Sequence, residues 1–489
     1  MKSLSIVVFV FLFANKISYG QDFDKCWPLG FSYISVPGLN SNLVFTPSGI
    51  RIDTAYRNVK FGLTEASISD GQGNLMLYTN GCVIMNTLND TMLFGDSISG
   101  SVCQTPICPT GGGTVTQGAL ILPAPRQSNL FYIFHEPCGP SANPSPVNLY
   151  YSMVDLTLDS GKGAVSSSNT LLHSGTLCDG SLTAVKHSNG IDWWIVLHEK
   201  YNDRFMRYLL SDSGISGPFF QNIGIIYNDD GHGNSRFSPD GSKYATSTQL
   251  GGIDLFDFDR CSGLFSNYQY IDLPDSLFLN YIEFSPNSSL LYSASYLVIN
   301  QFDLNATNIQ ASGVQVAIFD GFTSNSAHTY FWMMQKGPDE KIYLSCASGS
   351  PYLHVIDLPN IIGTGCNVLQ HSIEIPNRNL VLPNLTNYRL GAEDSLICDT
   401  TNSIIDFLIT GDQIVIFPNP ASKIVSISTL EPNEIIENIE IYDQFGRRIV
   451  SEKGLTEINI QTISSGVFSV LVGTKKGRYF KKLVISERY

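Results

Sequence analysis

Charge is sparse in this chain of 489 residues: 15% of it is Asp, Glu, Lys or Arg, with 29 basic side chains against 43 acidic ones. A net charge of -14 leaves no basic surplus to neutralise phosphates, which argues against a nucleic-acid partner and favours solubility. Long apolar runs are missing after residue 20, so no later segment is suited to crossing a bilayer as a helix. Local catalytic signatures are missing too. There is no G-x-S-x-G elbow, no H-E-x-x-H, no phosphate loop, no G-x-G-x-x-G and no calcium loop with its closing glutamate. No C-x-x-C pair occurs, which removes zinc ribbons and thioredoxin-like redox centres. We therefore expect no metal, no cofactor and no catalytic residue, although a site assembled from several loops leaves no local motif.

What is present is enough apolar material for large cores, 43% of the residues, and at roughly 100–200 residues per domain the length predicts two to four domains. Residues 1–20 carry Lys2, the apolar run from Ile6 to Ala14, then small Ser18 and Gly20, the pattern of a secretory signal peptide. All ten cysteines follow it, and an even count in an exported chain favours disulfides. Connectivity stays open, with Cys103 and Cys108 close enough in sequence for a local bridge.

The most informative pattern is an internal repeat. Phe237-Ser238-Pro239-Asp240-Gly241, Phe284-Ser285-Pro286-Asn287-Ser288 and Lys336-Gly337-Pro338-Asp339-Glu340 are turn segments 47 and 52 residues apart at their prolines, each followed by a short β-prone run. A second marker, Asp257, Asp303 and Asp357 between apolar residues, follows each proline by 18, 17 and 19 residues, and Asp155 extends the series backward. Degenerate copies surround Asp70-Gly71-Gln72-Gly73, Gln127-Ser128-Asn129 and Ser188-Asn189-Gly190. A period near 50 with several short strands per unit predicts a β-propeller. Over residues 21–398 it predicts seven blades, the seventh shared between strands near Phe31 to Thr54 and near Ile373 to Leu390. The Asp markers are expected to bond strand ends and turns. These turns resemble the repeats of WD-like propellers secreted by gliding-type Bacteroidota. Glu340 and Ser288 depart from the usual glycine, which puts the geometry of those two turns in question.

After an expected linker at 399–411, residues 412–489 change to short alternating strands that suit a small immunoglobulin-like β-sandwich, so the fold class is all-β throughout. Pro418-Asn419-Pro420, Gly446, Gly466 and the terminal Lys481-Lys482 stand in segments that resemble the C-terminal sorting domain of type IX secretion cargo. That resemblance implies export through the type IX machinery as a partner, release or display at the outer cell surface, cleavage of the sorting domain and attachment to surface lipopolysaccharide.

One repeated dipeptide stands out, His135-Glu136 and His198-Glu199, each closing an apolar strand. If the two pairs converge they could ligate a metal or act as an acid/base couple; the repetition favours a structural role in the blade template, hydrogen-bonding a neighbouring turn. The expectation is a surface-delivered binding or adhesion module for a glycan or protein. The alternative is a polysaccharide-acting hydrolase or lyase whose carboxylates come from separate blades.

Overall fold

A computed structural model describes residues 22–31, 39–98, 108, 111–137, 145–227, 233–247, 252–273, 280–393, 408–410, 414–429, 435–442, 448–474 and 478–486. The expected signal segment, Cys103, Cys138, Cys398 and Gly446 lie outside them. The chain divides into two compact units, Met1–Glu393 and Asp394–Tyr489.

Among the described residues the larger unit is a succession of seven small antiparallel sheets, each a meander of consecutive strands, plus a two-stranded hairpin (Thr323–Ser324 with Ala327–His328) between the sixth and seventh. The first sheet is Cys26–Leu29, Leu39–Thr46 and Gly49–Tyr56; the second is Ala66–Ser69, Leu75–Thr79 and Ile84–Asn86. The third to seventh have four strands each and begin with Ala119–Pro123, Thr183–Lys186, Ser235–Phe237, Tyr281–Phe284 and Phe331–Lys336. First strands neighbour one another: first sheet against second, second against third, and fourth through seventh in order. They are buried along their length because both faces pack on adjacent sheets, which explains the unbroken apolar runs.

Every turn segment of the repeat falls between the first and second strands of a sheet, and Asp155, Asp257, Asp303 and Asp357 fall at the ends of third strands. Lys243 Nζ reaches Asp257 at 2.7 Å and Lys341 Nζ reaches Asp357 at 2.6 Å, pinning the second strand to the third. The fifth turn position is left-handed in all three clear copies, with φ of 76° at Gly241, 60° at Ser288 and 63° at Glu340. The turn geometry thus survives without glycine, at a steric penalty of about 1 kcal/mol per residue.

Three expectations are corrected. The first sheet comes wholly from the N-terminal strands, and Val368–Glu374 is the last strand of the seventh sheet rather than part of a shared one. Residues 375–390 form no strand, since Pro376 and Pro383 have no N–H to give a ladder. Cys108 pairs with Cys82, across 26 residues and a Cα distance of 5.7 Å, and not with Cys103. Cys26, Cys346 and Cys366 are reduced and buried, so these sulfurs serve as small apolar core groups.

In the smaller unit a five-stranded sheet (Leu408–Thr410, Arg478–Ile485, Gly466–Thr474, Ile436–Tyr442, Arg448–Lys453) and a three-stranded one (Ile414–Phe417, Ile424–Thr429, Glu457–Asn459) enclose one apolar core around Val425, Ile439, Val470 and Leu483. Leu408–Thr410 lies within the segment read as linker; it adds in parallel to the exposed edge of the last strand.

Candidate functional site

Propeller-like rings of sheets put their first strands around an axis, and here the chain itself occupies that place. Residues 375–393 run along the first strands, and Asn384 is the densest node. Its N–H donates to Glu65 O at 2.8 Å and its amide to Ala119 O at 3.0 Å and Leu182 O at 3.2 Å. Its Oδ1 accepts from Gln117 Nε2 at 2.9 Å and Arg236 Nη1 at 3.3 Å. Asn377 accepts from Ser41 at 2.6 Å, Asn379 accepts from Gly30 N at 3.1 Å, and Tyr388 donates to Ile121 O at 2.9 Å. Asparagine suits this role because its amide donates and accepts at once, satisfying strand ends that meet no other strand.

Arg236 is buried beside Glu283, Nε to Oε2 at 3.1 Å, and gives its other N–H groups to Met334 O and Gln335 Oε1, both at 3.0 Å. Glu283 also accepts from Phe284 N at 3.0 Å and Lys336 N at 3.1 Å. Burial pushes the Glu283 carboxyl up, against the pull of Arg236. Two cavities flank Arg236, of about 40 Å³ and about 20 Å³, room for a water or two and not for a sugar ring.

The paired dipeptides do face the same end of their sheets, since each closes a second strand, Leu130–His135 or Trp193–His198. They do not meet: no hydrogen bond or ion pair joins them among the described residues. His135 Nε2 lies 3.1 Å from Ser152 Oγ, and burial pulls its pKa down to about 3. Among the described residues both Glu136 oxygens lack a hydrogen-bond partner, and burial with the nearby Asp179 pushes that carboxyl up. His198 Nδ1 donates to Glu199 O at 2.6 Å between the rings of Phe205 and Tyr227, and its pKa falls to about 4, again by burial. Glu199 takes Arg204 Nη2 at 2.5 Å and Asn202 Nδ2 at 2.9 Å. No cluster of three His, Cys, Asp or Glu side chains fit to hold a metal occurs among the described residues.

A larger cleft, about 490 Å³, lies on the opposite face between the first turns of the third and fourth sheets. Pro123 to Ser128 form one wall and Gly190-Ile191 the other, with Lys186 and Trp193 between. Lys186 Nζ donates to Gly190 O at 3.0 Å and lies 4.7 Å from the Trp193 ring centre. Burial, helped by Arg260 and opposed by Asp192, lowers that ammonium to about 8. Sequence reasoning missed Asn384, Arg236 and Lys186. The available signal for the first was asparagines and prolines interrupting an apolar run at 375–387.

In the smaller unit the first and last sorting segments meet. Asn419 Nδ2 donates to Lys482 O at 2.7 Å while its Oδ1 accepts from Val484 N at 2.8 Å, so one amide clips the final strand beside the Pro418 and Pro420 loop. Gly466 opens the strand that pairs with that final one, which carries Lys481 and Lys482.

Residues 415–486 match the secretion system C-terminal sorting domain. No curated protein matches the chain in sequence. Among solved structures it is similar to a Bacteroides uniformis protein proposed to be a 6-phosphogluconolactonase (11% identity, TM-score 0.45, 73% of this chain and 98% of that one). It is also similar to a periplasmic gluconolactonase of Pseudomonas aeruginosa (13%, 0.40, 74% and 98%).

Proposed function

We propose that this chain, which its sorting domain marks as cargo of the type IX secretion machinery delivered to the cell surface or the extracellular space, carries there a seven-bladed propeller of residues 21–398 that binds a glycan or a protein without chemical turnover. It follows a signal peptide at 1–20 and precedes a linker at 399–411 and an immunoglobulin-like sorting sandwich at 412–489. Removal of that sandwich and attachment to surface lipopolysaccharide complete the route. The observation that carries the non-catalytic reading is the occupied axis: Asn384, Arg236 and Glu283 consume one another's hydrogen-bonding capacity where a ring of this kind has its central pocket. The hydrolase alternative needs two carboxyl groups about 5–10 Å apart facing an open space, and among the described residues no Asp or Glu lines the cleft of about 490 Å³.

The test is a glycan array and a panel of surface proteins probed with the full exported chain, beside a polysaccharide-degradation assay. Retention without product release is the expected result. Release of oligosaccharide products overturns the reading.

A further inference from the structure

We propose that the cleft between the third and fourth sheets binds the acidic group of a saccharide, with Lys186 and Arg126 as its cationic partners. The inference rests on the binding reading above and gives it a place and a ligand chemistry. The volume of about 490 Å³ falls within the range of ligand pockets, roughly 300–1,000 Å³.

Charge in the lining of the cleft is one-sided. Lys186 is 6% exposed and has no ion pair among the described residues; one of its three N–H bonds reaches Gly190 O. The nearest opposite charge, Asp192, is engaged by Asn189 Nδ2 at 2.8 Å. Arg126 projects from the wall with 66% of its side chain exposed, its one ion pair being a 3.7 Å approach to the equally exposed Asp212. Gln127 and Ser128 add groups that both donate and accept, and no carboxylate lines the space among the described residues. On a chain of net charge -14, a cleft with cations and no acids selects an acceptor-rich anion.

The remaining wall separates ligand classes. Pro123-Ala124-Pro125, buried in the lining, adds no polar side chain to that wall. The Trp193 ring is covered by Lys186 on its face and by Tyr388 at 5.9 Å, so no free aromatic face remains to stack a nucleobase.

Binding of the full exported chain to three probes of equal length tests this: an oligouronate, a sulfated oligosaccharide and a neutral one. The expected result is about tenfold tighter binding of an acidic probe than the neutral one, and a loss of about fivefold or more in Arg126→Ala. Because that side chain is exposed, the fold is not at stake. Lys186→Met is expected to abolish the preference; should it fail to fold, protection of the Lys186 amine from acetylation by the acidic probe, read by mass spectrometry on the unaltered chain, replaces it. Uronate and sulfate arms distinguish the source of the anion. Equal retention of the neutral probe, or unchanged affinity in Arg126→Ala, overturns the cleft assignment while leaving the binding reading intact. No retention of any saccharide overturns it too, and the binding reading then depends on the protein panel.

Discussion

The axis of the larger unit and the cleft between its third and fourth sheets both gather polar side chains, and they use them in opposite ways. Along the axis Arg236 gives N–H groups to four partners and Asn384 joins strands of different sheets. In the cleft the two cations, Lys186 and Arg126, share a lining with no carboxylate among the described residues. Matched polar groups make scaffold; unmatched ones on an accessible surface invite a ligand.

The comparison can be broken most forcefully at Arg236. Arg236→Met leaves Glu283 buried without its cation, and a loss of about 3–5 kcal/mol in the unfolding free energy of the larger unit is expected from denaturant titration. The deficit should shrink in acid, where Glu283 is neutral. Asn384→Ala removes one of the two acceptors of the Gln117 amide and the donor to the Ala119 and Leu182 carbonyls, with an expected loss of about 3 kcal/mol by the same measurement. An unchanged midpoint in either variant would demote the axis to filler.

Glu136→Gln sharpens the contrast from the other side, since this carboxyl is buried, unpartnered and not part of the axis network. Burial holds its folded pKa well above the ordinary glutamate value of 4.5, so its favourable contribution is complete below that pH and is lost as pH rises through the folded pKa. The glutamine variant should match the parent near pH 4.5 and gain on it at up to about 1.4 kcal/mol per pH unit above, until that folded pKa is passed. His135 and His198 act with the opposite sign. Held neutral down to about 3 and about 4, they lend stability above pH 6.5 that is lost as pH falls toward those values. The smallest effect is expected at Glu340→Gly, a gain of about 0.5 kcal/mol from relieving the left-handed backbone, with no change in saccharide binding.

Legibility in the sequence followed the range of the interactions. Turns such as 237–241 announce themselves because Ser238, Asp240 and the left-handed fifth position satisfy one another within five residues. The sorting segments were legible for the same reason, each being a local pattern, while the clip from Asn419 to Lys482 spans 63 residues and carries no local trace. Asn384 lies 202 residues from Leu182 and 265 from Ala119, so nothing adjacent in the chain marks it. The His-Glu dipeptides were conspicuous because they repeat, and repetition reports the shared end of a second strand; at each copy different neighbours decide the electrostatics.

The segment through the axis changes how unfolding spreads. In a row of repeats each unit contacts only its neighbours, so stability is a sum of pairwise terms and ends can fray independently. Here residues 377–389 act as a hub with spokes to the first, second, third, fourth, fifth and seventh sheets. Detaching any one of those sheets disturbs the hub and therefore its distant counterparts, which turns a row of locally similar modules into a single cooperative body. That cooperativity is contributed by residues 377–389, near the end of the larger unit at Glu393, so that unit reaches full strength only when nearly all of it has been made.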